Sequence, residues 1–281
     1  METVKEMEGS KTDINELKDI ARRIRINLLR MLTNAGSGHT GGSLSAADIV
    51  TALYFAKMKH DPKNPKWEER DRFILSKGHA APLLYTVLAE CGYFDKSELM
   101  TLRRLSSRLQ GHPDCKALPC VEISTGSLGQ GLSIANGVAL SGKIDNASFR
   151  VYVLLGDGET QEGQVWEAAM TAAHYKLDNL CAIIDRNKLQ IDGSVEEIMS
   201  IEPVVDKWEA FGWNVIETDG HDIARILSAL NEAEKVKGKP TMIIAHTIKG
   251  KGVSIFEGKV EYHGIAPTKE ELEIALKELE A

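Results

Sequence analysis

Between residues 150 and 247, four short apolar runs alternate with helix-like segments. The runs are RVYVLL (150–155), LCAIID (180–185), WNVIETD (213–219) and TMIIAHT (241–247). They have strand length, and the patterns at 164–175 and 222–236 between them have helix length. Strands that alternate with helices pair in parallel, because the connection between parallel neighbours needs a crossover rather than a tight turn. Runs that are apolar at nearly every position belong to a sheet covered on both faces. The expected fold is α/β: a doubly wound, mostly parallel sheet with helices on both faces. One domain is expected over residues 1–281, with residues 1–12 as a flexible tail.

The first half reads as helical cover for that sheet. Leu17, Ile20, Ala21, Ile24, Leu28 and Leu32 recur at three- and four-residue steps, which predicts an amphipathic helix over 13–33. Asp13 is its expected N-cap, with Glu16 in capping-box order. A glycine-rich stretch at 36–42 precedes an apolar helix over 46–58. Another helix is expected over 82–91, opened by Pro82 in its first turn. The tail, TKEELEIALKELEA, is a charged amphipathic helix. Lys and Arg number 34 against 41 Asp and Glu, a net charge of −7 that argues against a polyanion-binding surface. No apolar run approaches the roughly 20 residues of a membrane helix, and METVKEMEGSKTD lacks the apolar core of a signal peptide. Four scattered cysteines fit neither a disulfide scaffold nor a zinc knuckle. A cytoplasmic protein with no nucleic-acid or membrane partner is expected.

Chemistry first shows in the histidines. With 8 histidines and 24 glycines, chance gives about 0.7 Gly-His steps. The sequence has Gly38-His39, Gly78-His79, Gly111-His112 and Gly220-His221. A glycine beside a histidine lets the backbone approach a ligand while the imidazole faces it. A single step more often marks an ordinary loop; four together point to a His-lined pocket. His221, next to Asp222 at an expected helix N-cap, is read as structural.

A second constellation is Gly156-Asp157-Gly158 after the strand 150–155, with Asn187 just past the strand 180–185. Both lie at carboxyl ends of parallel strands, where open α/β sheets bind ligands. Asp and Asn oxygens suit Mg²⁺ held together with a phosphorylated cofactor, and Gly158 leaves room for a phosphate to reach backbone N–H groups. A lone Gly-Asp-Gly is as often a plain tight turn; the Asn after the next strand is what strengthens it. The third feature, Ser124-Thr-Gly-Ser-Leu-Gly-Gln-Gly131, lacks the Lys of a P-loop and the spacing of a dinucleotide fingerprint. ATP and NAD are disfavoured.

Ser37-Gly38-His39, Arg72-Phe-Ile-Leu-Ser-Lys-Gly-His79-Ala80, Gly111-His112-Pro113, Thr125-Gly-Ser-Leu-Gly-Gln-Gly131, Gly156-Asp157-Gly158 with Asn187, and His263-Gly264 stand in an order that closely resembles transketolase. The resemblance runs from about residue 20 to 270 and corresponds to the N-terminal, diphosphate-binding half of the full-length enzyme. The pyrimidine-binding domain and the C-terminal domain have no counterpart in the sequence. It thus implies the N-terminal subunit of a split transketolase, paired with a separate C-terminal subunit in a two-plus-two heterotetramer. The implied cofactors are thiamine diphosphate and Mg²⁺, with Ca²⁺ or Mn²⁺ as substitutes. The implied reaction moves a two-carbon ketol unit from a ketose phosphate to an aldose phosphate in the pentose phosphate pathway.

By the same resemblance, Asp157, Asn187 and the carbonyl of Leu189 hold the metal. The cofactor set is His39, His79, Gly126, Ser127, Leu128, Gly156, Asp157, Gly158, Glu159, Asn187, Ile191 and His263. Within it, His79 and His263 donate to the diphosphate, Gly126 and Leu128 lie against the rings, and Ile191 packs on the cofactor. Glu159 belongs only as part of the turn. His39, His112, His263 and Glu162 form the catalytic set. His39 and His263 serve the hydroxyl that becomes the aldehyde oxygen, and His112 meets the donor's C1 hydroxyl. Glu162 and Glu167 fall where the family links paired active sites across a dimer interface; the plain alternative is a solvated helix face. Four other readings stay open. They are a specialised transketolase for a sulfosugar or branched sugar phosphate, a deoxyxylulose-phosphate synthase, the alpha chain of a 2-oxo-acid dehydrogenase, and a non-catalytic cofactor-binding subunit.

Overall fold

The strand-helix alternation builds the expected sheet, with one strand more than the sequence pattern suggested. A computed structural model describes residues 13–281, so the expected tail over 1–12 lies outside the described residues. The strands are β1 (Arg72–Leu75), β2 (Val151–Gly156), β3 (Leu180–Arg186), a short antiparallel hairpin of β4 (Leu189–Gln190) and β5 (Gly193–Ser194), then β6 (Asn214–Asp219) and β7 (Thr241–His246). The main sheet is parallel throughout, in the order β1-β2-β3-β7-β6. β1 escaped the sequence reading because four residues, opened by an arginine, carry too little periodicity to register.

Successive strand residues point to opposite faces, and each face has its own cover. Tyr152, Leu154, Ile183 and Ile243 pack beneath α1 (Ile14–Ala35), α3 (Ala47–Ala52), α4 (Ala81–Glu90) and α9 (Ile223–Lys235). Val151, Val153, Leu155, Ile184 and Ile244 pack beneath α5 (Gln130–Ile144), α6 (Gly163–His174) and α8 (Val204–Ala210). The sheet is therefore doubly wound. Asp13 caps α1 as expected, its carboxylate accepting from the Asn15 N–H at 2.8 Å. The C-terminal helix, α10 (Lys269–Glu280), carries a full capping box between Thr268 and Glu271.

The apolar helix expected over 46–58 starts earlier and breaks. It begins as α2 (Gly41–Ser45), bends at Ala46, continues as α3 and ends in a π-turn over Leu53–Lys57. Two leading glycines give α2 almost no intrinsic helix propensity, so its order comes from tertiary bonds. The Lys77 ammonium donates to the Gly42 carbonyl at 2.9 Å, and the Ser45 hydroxyl donates to Asp185.

Those two partners form an ion pair inside the protein, with Lys77 and Asp185 side chains 1% and 0% exposed. Charges so deep need further partners. Asp185 also accepts from the Thr247 hydroxyl and, at 3.3 Å, from the Asn187 amide. Burial pushes its carboxyl upward, but the Lys77 ammonium together with the Ser45 and Thr247 hydroxyls outweighs it and holds the group below the ordinary carboxylate value. The ends of β1, β3 and β7 and the start of α2 are joined at this one point. Lys77→Met should lower the unfolding free energy by about 3–5 kcal/mol, and Lys77→Met/Asp185→Leu should recover most of that loss. Urea melts of the two variants decide it. A single-variant loss under about 1 kcal/mol, typical of a surface pair, would deny the pair this role.

Candidate active site

The carboxyl ends of β1, β2, β3 and β7 open onto one crevice, and four imidazoles converge there. His39 lies between the others, with ring centroids 5.1 Å from His79, 5.5 Å from His263 and 6.4 Å from His112. His79 and His263 stack at 5.2 Å. Each is delivered by a different element. His79 rides a 3₁₀ turn (Gly78–Ala80) between β1 and α4, and His263 another one (Glu261–His263) before α10. The loop before α2 carries His39 and is tied to the His263 segment by the Thr40 hydroxyl, which donates to the Ile265 carbonyl at 2.6 Å. The Tyr85 hydroxyl of α4 donates to the His112 carbonyl at 3.0 Å.

Glycines set the closeness of the walls. A Cβ on Gly78 would stand 2.8 Å from the Gly126 nitrogen, so the β1 turn and the 124–131 loop touch through bare backbone. Gly129, which starts α5, has φ +82°, and a Cβ there would also strike Glu162. Glu159 closes the same corner. Its buried carboxylate accepts from the Ser76 hydroxyl and from the N–H groups of Gly129 and Gly156, both at 2.9 Å. The side chain of Glu159 is thus a brace between the two loops and does not face the crevice.

Asp157 is held from two sides at the end of β2. One oxygen accepts from the Gly158 N–H at 2.8 Å; the other accepts from the Lys188 N–H at 2.5 Å and from the Arg186 guanidinium at 3.3 Å. Burial and the neighbouring Asp185 charge push its carboxyl upward. The Asn187 side-chain oxygen accepts from the Leu189 N–H at 3.2 Å, and the Leu189 carbonyl accepts from the Lys249 ammonium at 3.1 Å. Lys249 also donates to His263 Nδ1 at 2.8 Å. The Asp carboxylate, Asn amide oxygen and backbone carbonyl make an all-oxygen donor set of the kind a hard divalent cation takes. His39 Nδ1 and Gln190 Oε1 are buried there without a hydrogen-bond partner. An unpartnered imidazole nitrogen beside cationic donors fits a bound, phosphorylated group, and an unpartnered amide oxygen fits a cation bound with it.

Burial keeps the imidazoles neutral. It depresses His39 to about 4, helped by the charges of Arg103, His112, Lys249 and Lys77. It depresses His263 to about 3, with Lys249 next in effect. His79 is lowered by burial and Lys77, and His112 by burial and Arg103. Burial also pushes the Lys249 ammonium down to about 8, with Lys77 adding to it.

Of the residues singled out in sequence, His39, His79, His112, His263, Gly126, Asp157, Gly158, Asn187 and Leu189 stand around this crevice. Ile191 sits on the β4–β5 hairpin with its side chain in the open, 64% exposed. Ser127, Glu162 and Glu167 are exposed, and Leu128 is half-buried. His221 is structural as read: Nδ1 lies 3.0 Å from Asp48, and Nε2 accepts from the Ile248 N–H at 2.8 Å. Asp222 caps α9. Lys77, Arg186 and Lys249 are buried at the crevice and were not read from sequence. Nothing in the loop IKGKG separates an inward lysine from the solvated ones around it.

The comparisons with known proteins agree with this fold. The family described as transketolase, thiamine diphosphate binding domain, matches residues 17–279. A 6-deoxy-6-sulfo-D-fructose transketolase subunit from Clostridium sp. (strain MSTE9) is 48% identical over 265 residues, covering 94% of this chain and 96% of that one. An apulose-4-phosphate transketolase subunit from Phocaeicola vulgatus is 45% identical over 255 residues, covering 91% and 90%. Human transketolase is 45% identical over 267 residues, which are 95% of this chain and 42% of that protein. The crystal structure of Campylobacter jejuni transketolase superposes with a TM-score of 0.90 at 37% identity, over 95% of this chain and 43% of that one. The chain thus spans less than half the length of those transketolases. A match across nearly all the described residues, on the same doubly wound sheet, leaves one conclusion: this chain belongs to the transketolase family, and its matched residues are the family's thiamine diphosphate-binding domain.

Proposed function

We propose that this chain is the N-terminal subunit of a split transketolase, a single domain that works with a separate chain carrying the pyrimidine-binding half. The observation that carries this is the convergence of His39, His79, His112 and His263 on one another, with Lys249 bonding both His263 and the Leu189 carbonyl beside them. Relatives of nearly the same length that are named as subunits support the split arrangement. The reaction is transfer of a two-carbon ketol unit from a ketose phosphate to an aldose phosphate, as in the pentose phosphate pathway. Relatives named for 6-deoxy-6-sulfo-D-fructose and apulose-4-phosphate favour an unusual sugar as this chain's own substrate. Free thiols at Cys91, Cys115, Cys120 and Cys181 fit a cytoplasmic setting. Two copies of each chain make the assembly, with exposed Glu162 and Glu167 on the surface between copies.

When bound, thiamine diphosphate supplies the carbanion chemistry that splits and rejoins the sugar's carbon chain. This chain's part is to hold the cofactor and to move protons. Asp157, Asn187 and the Leu189 carbonyl hold the divalent cation, Mg²⁺ in the first instance. Gly156 and Gly158 leave backbone room for the diphosphate, toward which His79, His263 and Lys249 present donors. Gly126, Ser127, Leu128 and Ile191 flank the rings, with Glu159 bracing that corner. His39, neutral at pH 7, accepts the proton of the sugar hydroxyl next to the bond that breaks and returns it to the acceptor, while His263, whose Nδ1 accepts from Lys249, serves that oxygen through its Nε2–H. His112, the most exposed of the four, orients the C1 hydroxyl.

The first test is the native mass and composition of the tagged chain taken from its own cells. A stoichiometric second chain of about 300 residues, the size of two ordinary domains, is expected. Copies of this chain alone would overturn the split enzyme. Asp157→Ala should weaken metal-dependent thiamine diphosphate binding beyond the roughly 10–100-fold that outer-shell changes cost; calorimetric titration reads it, and unchanged affinity would remove Asp157 from the site. The low imidazole values also set a pH dependence. Below about 6.5 the unfolded chain takes up protons at His39 and His263, whereas the folded chain does so only near 4 and 3. Their contribution to stability is full above 6.5 and is lost as pH falls toward 4. The raised carboxyls of Asp157 and Glu159 act in the opposite sense. Tm should therefore fall less between pH 7 and pH 5 for His39→Gln/His263→Gln than for the parent, and identical slopes would contradict the assignment.

A further inference from the structure

The fourth Gly-His step, Gly220-His221, stands outside the crevice, yet it lies against the exit of β7. The Gly220 N–H donates to the His246 carbonyl at 2.8 Å, and a Cβ on Gly220 would collide with Thr247 Cγ2. The glycine thus brings the next ring against the loop over residues 247–252, which carries Lys249. His221 Nε2 accepts from the Ile248 N–H at 2.8 Å. A ring nitrogen that accepts carries no proton, so in the neutral imidazole the proton is on Nδ1, which donates to Asp48 at 3.0 Å. A single tautomer makes both bonds.

Asp48 is anchored in turn. Arg25 of α1 donates to both of its oxygens, at 2.9 and 2.7 Å, and gives its Nε–H to the Lys251 carbonyl at 3.0 Å. Burial pushes the Asp48 carboxyl up, but Arg25 and His221 outweigh it and hold it at about 2. The three side chains form a charged cluster that shares no bond with the Lys77–Asp185 pair.

The loop is therefore gripped on both sides of Lys249, at the Ile248 N–H and at the Lys251 carbonyl. The Ile248 side chain is 40% exposed, so a backbone bond rather than packing fixes that residue. Gly250 donates its N–H to the Gly41 carbonyl at 3.0 Å, and a Cβ on Gly41 would come within 2.8 Å of Lys249 Cγ. The lysine stem is pressed along the start of α2, and its ammonium ends on His263 Nδ1 and the Leu189 carbonyl. A buried lysine gives up most of its rotamer freedom, so its direction depends on how firmly the backbone beneath it is held. The bond it makes leaves His263 with its proton on Nε2; without that bond the other tautomer competes.

We propose that His221 is a positioning residue: an Nδ1–H imidazole, oriented by Asp48, that fixes the Ile248 N–H and thereby the approach of Lys249 to His263. The proposal rests on the transketolase reading for the chemistry of His263, and on the bonds above for the way that ring is held.

Two amide variants separate the contacts. His221→Gln places an oxygen near the position of Nε2 and keeps the acceptor for Ile248. His221→Asn places its amide nitrogen near Nδ1 and keeps the donor to Asp48 alone. NMR of the ring nitrogens in the full chain near neutral pH should show His221 protonated at Nδ1 and His263 at Nε2. A parent with His221 protonated at Nε2 would overturn the proposal before any variant is made. His221→Asn should shift the His263 Nδ1 resonance and lower kcat of the complete, cofactor-loaded enzyme about tenfold, the worth of one hydrogen bond, with KM for the sugar little changed. His221→Gln should stay near the parent in both. The opposite ranking would assign His221 to supporting Asp48 and sink the proposal, as would equal losses or none. If the parent shows no ketol transfer, the transketolase reading fails and the His263 resonance decides alone: moved in His221→Asn and unmoved in His221→Gln upholds the positioning, and any other pattern refutes it. Should His221→Asn not fold, hydrogen exchange of the parent takes its place. A protected Ile248 amide, with His263 unmoved in His221→Gln, upholds the contact; an amide that exchanges at the rate of an open chain refutes it.

Discussion

The rest of the site depends on the Lys77–Asp185 ion pair. It joins the second residue after β1 to the end of β3, and through Ser45, Gly42, Thr247 and Asn187 it reaches α2, the β7 exit and the expected metal ligand. Two charges this deep are costly unless every partner is in place, so the pair tolerates only one arrangement of the four segments. Those segments carry His39, His79, Asn187 and Lys249. The placement of His39 and His79 is a consequence of satisfying one buried carboxylate.

Electrostatics then separates the tasks. Burial first, and the buried positive groups of the floor second, keep His79 and His263 neutral, and those groups leave the crevice complementary to a polyanion. Asp157 stands opposite them, clamped by backbone N–H groups and by Arg186, whose other contacts run to Glu202 and Glu196. Because Arg186 is shared among three carboxylates, Asp157 keeps a fixed orientation without being fully neutralised. Neutral imidazoles beside ammonium groups are suited to accepting protons only in passing, since lasting protonation there opposes the local field.

Much of the fold was legible because its signals are local. Four of five sheet strands, the helices α1, α4, α6 and α9, and the Asp13 and Asp222 caps follow from apolar spacing and terminal side chains. β1 and α2 were not legible for the same reason: four residues and a Gly-Gly start hold no period, and pairing with β2 or bonding to Lys77 makes them ordered. The helix read over 46–58 was correct in existence, but its start and its bend at Ala46 were not encoded in propensity. Among site residues, the Gly-His steps and the Gly-Asp-Gly…Asn spacing stood out because glycine and histidine are informative pairs. Lysines are not, since most lie in solvent, and Lys77 and Lys249 differ from the others only in being turned inward.

By itself the sequence determined the class of fold, the strand ends at which a ligand would sit, and the histidines that line the crevice. These are matters of period, composition and order along the chain. Only the tertiary structure decided that Glu159 braces two loops instead of facing the crevice, that Lys249 bridges His263 and the Leu189 carbonyl, and that His221 holds the Ile248 N–H beside Lys249. Each of these is a choice of partner across tens of residues. Burial and charge balance make such choices after the sheet has brought the segments together.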